Sequence, residues 1–105
     1  DYIDLYQLHF PDAATPIEET LRALDDLTRA GKIRYAGSSN YSGWQIADAA
    51  WIAKTQGLSP FISAQNHYSL LDRTIENGTI PAAEAFGVGI LPYFPLASGM
   101  LTGKY

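Results

Sequence analysis

Cysteine is absent from the 105 residues. That excludes a disulfide-stapled scaffold and any thiolate metal site, and it fits a reducing, cytoplasmic setting. Histidine is scarce. His9 and His67 stand far apart with no neighbouring carboxylate pair, which is not a metal-ligand set. Positive charge is scarce as well. Seven Lys and Arg against eleven Asp and Glu leave a net charge of −4, and the basic residues are scattered. Such a chain is not built for nucleic acid or an anionic membrane surface. No apolar run reaches the ~18 residues of a membrane span, and no basic-then-apolar signal opens the chain. No GxGxxG or P-loop pattern occurs, and Gly87-Val88-Gly89 precedes a strand rather than following one. No Ser-His-Asp arrangement is visible.

What is present is ordinary globular material: 47% hydrophobic and 17% charged residues, with 9 Gly and 6 Pro. The length allows at most one domain, residues 1–105. The chain opens on Asp1, already inside a strand pattern, and closes on Gly103-Lys104-Tyr105 without a closing element. The expectation is a piece of a longer protein.

Tyr2 to Phe10 is rich in Tyr, Ile and Leu and reads as a strand buried on both faces, stopped by Pro11-Asp12. Thr15-Pro16-Ile17-Glu18 predicts a helix start with Thr15 as cap and Glu18 completing a capping box. Ile17, Leu21, Leu24 and Leu27 form the apolar stripe of that helix. Glu18, Glu19, Arg22, Asp25, Asp26 and Arg29 read as its solvated face, and Gly31 ends it. Lys32 to Gly37 is a second strand, and Ser38-Ser39-Asn40 a polar turn. A second helix runs from a Ser42 cap to Gln56, with Trp44 and Trp51 as packing residues. Phe61 to Gln65 is a third strand, followed by a polar loop from Asn66 to Arg73 that holds His67 as a surface histidine. A weaker third helix lies within Glu76 to Phe86, and Val88 to Pro92 is a fourth strand. Tyr93 to Tyr105 reads as a loop.

The strand starts recur at intervals of about 30, 28 and 27 residues, the size of one βα unit. Short connections between alternating strands and helices imply parallel strands. A four-stranded open sheet satisfies this pattern. So does half of a (β/α)8 barrel, since eight such units make ~225 residues. The expected fold is α/β: a partial (β/α)8 TIM barrel of four parallel strands with three intervening helices.

Each strand ends in a residue that can do chemistry. These are His9, then Ser39-Asn40, then Gln65 with Asn66 and His67, then Tyr93. In parallel α/β folds all strand C-termini share one face, where sites are built. Taken singly, each has a structural reading. A lone His is commonly a satisfied structural group, Ser-Ser-Asn a turn and cap, and Tyr93 ahead of Phe94-Pro95 a cover for the barrel mouth. Gln65 is harder to dismiss, because an amide closing an apolar strand needs hydrogen-bond partners.

Four collinear blocks carry a family resemblance. They are Asp1-Tyr2-Ile3-Asp4-Leu5-Tyr6-Gln7-Leu8-His9, Gly31-Lys32-Ile33-Arg34-Tyr35-Ala36-Gly37-Ser38-Ser39-Asn40, Gln65 with Tyr68-Ser69-Leu70-Leu71-Asp72-Arg73, and Tyr93-Phe94-Pro95-Leu96-Ala97-Ser98-Gly99-Met100-Leu101-Thr102-Gly103-Lys104-Tyr105. Together they resemble the aldo-keto reductases across the whole chain. The resemblance implies the fourth to seventh units of a (β/α)8 barrel. It also implies a cytoplasmic oxidoreductase that moves hydride between NADP(H) and a small carbonyl substrate, an aldehyde or ketone. It implies that His9 is the catalytic His, while the catalytic Tyr, Lys and Asp belong to earlier strands that these residues do not include. Ser39, Asn40 and Gln65 correspond to the partners of the nicotinamide carboxamide, and Tyr93 to the aromatic residue that stacks on the ring. Leu96 and Ser98 correspond to positions near the pyrophosphate. Phe94 departs from the Ser often found there, so that phosphate contact is not carried over. The basic segment that reads the 2′-phosphate falls after Tyr105, so NADP over NAD is inherited from the family. Two other readings share the same barrel. One is a regulatory module like the β-subunit of potassium channels; the other is an inactive truncated fragment.

Overall fold

Three helices pack on one face of a four-stranded parallel sheet in this computed structural model, which describes residues 1–105. The elements are β1 (Ile3–Gln7), α1 (Ile17–Arg29), β2 (Ile33–Ser39), α2 (Gly43–Gln56), β3 (Phe61–His67), α3 (Thr79–Phe86) and β4 (Gly89–Tyr93). Short 3-10 segments occupy Thr74–Asn77 and Ala97–Thr102. Strand order is β1-β2-β3-β4, and every neighbouring pair is parallel. Consecutive strands lie side by side, so each helix returns over the same face. The sheet curls into half of a (β/α)8 barrel, as the βα spacing predicts.

The stripe of α1 is buried where periodicity places it: Leu21 and Leu24 join Ile46, Ala49 and Ala53 of α2 over Ile33, Ala36, Phe61 and Ala64 of the sheet. Small alanines at the contact leave room for the helices to lie close against the strands. Ser42 caps α2 in a capping box with Gln45, and Gly57 and Gly87 close α2 and α3 in the left-handed conformation.

Several local expectations are corrected. Thr15 does not cap α1. Its hydroxyl donates to Asp12 at 2.9 Å, Pro16 takes the cap position, and Glu18 pairs with Arg22 instead. β1 ends at Gln7, so His9 lies in a bend beyond it, and Ser38 and Ser39 extend β2 instead of turning. Asn66 and His67 belong to β3, and the tail contains a 3-10 segment. Trp44 and Trp51 are not packing residues, being 70% and 59% exposed; Trp51 lies under the Lys54 ammonium at 5.9 Å. Helical spacing alone cannot tell a core stripe from an outer one.

Asp25 also leaves the solvated face assigned to it and is only 5% exposed. One carboxylate oxygen accepts from Arg29 Nε at 2.7 Å, and the other accepts both the Ser59 N–H and hydroxyl at 2.9 Å. The Arg29 guanidinium, followed by the two Ser59 donors, holds the Asp25 carboxyl below its ordinary value of 3.8. A carboxyl depressed in the folded state stabilises that state above its unfolded pKa, and the contribution is lost as pH falls through the folded value. Asp25→Asn should therefore unfold more readily at neutral pH. The gap from wild type should close as acid titrates the carboxyl below pH 3.8. Paired thermal melts at pH 7 and pH 3 check this, and a gap that persists unchanged in acid contradicts it.

Within residues 1–105 alone β1 is an edge strand, and Ile3 and Tyr6 are exposed, as are Tyr35, Ile62 and Leu91 on the other strands. The face opposite the helices carries Gln7, Gly37 and Ser63 in one layer. A Cβ on Gly37 would fall 2.3 Å from Ser63 Oγ and 3.4 Å from Gln7 Cγ. Open parallel edges and exposed apolar side chains favour association. Residues 1–105 prepared alone should self-associate in light scattering. A monodisperse monomer with a sharp unfolding transition is the contrary result.

Candidate functional site

The C-terminal ends of β2, β3 and β4, with the bend after β1, surround one cleft of about 330 Å³. His9, Phe10, Ser39, Asn40, Gln65, Tyr93 and Phe94 line it. Parallel pairing produces the convergence: Ser39 is in register with Gln65, and His67 with Tyr93. In such a sheet every strand delivers its last residue to the same rim.

Asn40 ties the rim together. It sits in the left-handed region at φ 63°, which Asn tolerates better than most residues because its short side chain bonds locally. Its backbone N–H donates to the Gln65 carbonyl at 3.0 Å, and its Nδ2 donates to the His9 carbonyl at 2.9 Å. Its Oδ1 accepts from the Tyr93 hydroxyl at 2.7 Å. Ser39, only 4% exposed, donates its hydroxyl to the Gln65 carbonyl at 2.7 Å. The Gln65 carbonyl oxygen thus accepts two hydrogen bonds, while its half-buried side-chain amide makes no hydrogen bond within the protein. That amide offers a free donor pair and a free acceptor to a ligand in the cleft, and Ser39 retains acceptor capacity beside it. A primary carboxamide matches this pattern. A donor arriving at Asn40 Oδ1 competes with the Tyr93 hydroxyl.

His9 is exposed at the rim, with its ring stacked on Phe10 at 4.4 Å between centroids. Tyr93 forms one wall. Its ring stacks on His67 at 5.4 Å and 12°, and Phe94 meets it edge-on at 5.3 Å and 77°. Leu96 and Ser98 do not line this cleft; they lie beyond β4, and Ser98 is left-handed at φ 57°. Sequence reasoning missed Phe10 and Phe94 as cleft residues and set His67 aside as a surface histidine. The period of two along a strand was the available signal for His67, because it places Gln65 and His67 on the same face.

No helix is long and apolar enough to cross a membrane. The aldo/keto reductase family model matches residues 1–105. The chain belongs to that family. It is 48% identical over 103 residues to the aldo-keto reductase dtxS3 of Metarhizium robertsii, which covers 98% of this chain and 28% of that protein. It is 41% identical over 104 residues to the uncharacterized oxidoreductase YrpG of Bacillus subtilis, covering 99% of this chain and 32% of that one. With the mouse aflatoxin B1 aldehyde reductase member 2 the identity is 41% over 103 residues, covering 98% and 28% respectively. The aldo-keto reductase chain described here therefore spans about a third of the length of the curated relatives it matches. Family membership and the half-barrel agree with the oxidoreductase class that the sequence blocks imply.

Proposed function

We propose that the complete gene product is a cytoplasmic, NADP(H)-dependent reductase of aldehydes or ketones, and that the cleft between β2, β3 and β4 holds the nicotinamide. The observation that carries this reading is the unengaged Gln65 amide beside buried Ser39, in a cleft walled by the Tyr93 ring. Ser39, Asn40 and Gln65 fix the carboxamide by matched donors and acceptors, and Tyr93 offers its face to the ring. Leu96 and Ser98, just past Tyr93 in sequence, serve the pyrophosphate. When bound, the reduced cofactor supplies the hydride and the protein supplies position and polarity. His9, at the open rim, donates a ring N–H to the substrate carbonyl oxygen and orients it. One relative's name, an aldehyde reductase, supports the carbonyl class.

The test is fluorescence titration of the complete gene product with NADPH, followed by loss of nicotinamide absorbance on adding a reactive aromatic aldehyde. Binding and turnover are expected. Failure to bind NADPH overturns the reading. Residues 1–105 alone should show no turnover. The proton donor that the resemblance assigns to an earlier strand is outside them, and losing a general acid costs about 10²–10⁴ in rate.

A further inference from the structure

Tyr93 is a wall shared by two clefts. One is the cleft of His9, Ser39 and Gln65; behind it lies a second, of about 440 Å³, lined by Tyr93 together with His67, Asp72 and Asn66. His67 lines only the second. Its ring lies nearly parallel to Tyr93, 12° apart, and its Nδ1 is 3.1 Å from Asp72 Oδ2. We propose that His67, oriented by Asp72, is a positioning residue that backs the Tyr93 ring so that its other face is presented to the cofactor cleft. This deepens, and rests on, the nicotinamide reading given above.

The loop after β3 is built to deliver that carboxylate. The Ser69 hydroxyl accepts the N–H groups of Leu71 and Asp72 at 3.1 Å, which folds the turn. Thr74 then donates its N–H at 3.2 Å and its hydroxyl at 2.8 Å to Asp72 Oδ1, leaving Oδ2 for His67. The Thr74 hydroxyl, more than its N–H, holds the Asp72 carboxyl below its ordinary value, and the nearby His67 acts in the same direction. Farther along, the Tyr68 hydroxyl and Arg73 Nε both donate to Glu76 Oε2, at 2.6 and 2.7 Å, and pin the loop. Tyr93 needs such a support. It is the last residue of β4, and the next residue, Phe94, is in the left-handed region at φ 50°. The strand does not hold the ring beyond that point. The Tyr93 hydroxyl is tethered to Asn40, and the stack on His67 fixes the tilt of its plane.

Three variants of the complete gene product test this by NADPH titration: His67→Ala, His67→Phe and Asp72→Asn. His67→Ala should raise the NADPH dissociation constant about 2- to 10-fold, the range expected for one aromatic stack. His67→Phe keeps a flat ring without the Asp72 contact and should restore affinity to within about 2-fold of wild type. Asp72→Asn should fall between the two. KM for the aldehyde should stay at the wild-type value, a split that general loosening of the fold would not give. Equal affinity of His67→Ala and wild type overturns the proposal, as does His67→Phe binding no better than His67→Ala. Should His67→Ala fail to fold, the order of His67→Phe, Asp72→Asn and wild type still decides. Wild type that binds no NADPH overturns the cofactor reading itself, and this one with it.

Discussion

Gly43→Ala is expected to lower the stability of the complete gene product by at least about 1–3 kcal/mol, the usual cost of forcing an extra methyl into a closed contact. Gly43 opens α2 where the helix meets Gly78, the residue that leads into α3. A Cβ there would fall 2.5 Å from the Gly78 carbonyl oxygen and 2.6 Å from its carbonyl carbon. Both are backbone atoms, so no side-chain rotation relieves the clash. One of the two chain segments must move. α2 and α3 pack on the same side of the sheet, and Gly43 and Gly78 both line the cleft behind Tyr93. The damage should therefore reach that second cleft as well as the fold. Denaturant midpoints of wild type and variant measure the first effect; an unchanged midpoint contradicts the contact.

Gln65→Ala is expected to act in the opposite way, leaving the fold intact and removing binding. The side-chain amide makes no hydrogen bond within the protein, so truncation breaks no internal partner. In the liganded state it leaves polar groups of the carboxamide unpaired, at about 1–3 kcal/mol. That corresponds to roughly 5- to 150-fold in the NADPH dissociation constant. The measurement is a fluorescence titration beside a thermal melt. Weakened binding with an unchanged melting temperature is the expected pair. An unchanged dissociation constant removes Gln65 from the site.

The order of the elements was legible because each part of it is a local property. The stripe Ile17, Leu21, Leu24, Leu27, the Ser42 cap and the glycines at 31 and 57 act within a few residues of where they stand, and each appears where it was expected. The candidate site was legible for a related reason. Parallel strands bring their ends to one rim, so residues at strand ends meet without any knowledge of side-chain packing. Ser39, Asn40, Gln65 and Tyr93 follow that rule, and His9 reaches the rim from the bend beyond β1.

Burial and partnership were not legible. Asp25 looked solvated because its neighbours in the helix are charged; the Ser59 donors that enclose it are 34 residues away. Trp44 and Trp51 looked like core because large apolar residues usually are; the places under α2 are filled by Ile46, Ala49 and Ala53 instead. His67 looked like a loop residue because the run of apolar residues ends at Gln65, whereas pairing with β4 carries the strand two residues farther.

The sequence by itself determined the βα alternation, the parallel sheet, the family and the set of polar strand ends, all of which rest on short-range periodicity or on collinear blocks. Only the tertiary structure decided that the Gln65 amide is left unengaged while the Asn40 amide bridges His9 and Tyr93. Only it decided that the Tyr93 ring stacks on His67, and that Gly43 meets Gly78. Those facts depend on which segments distant in sequence come into contact, and a contact between backbones leaves no mark in composition or period.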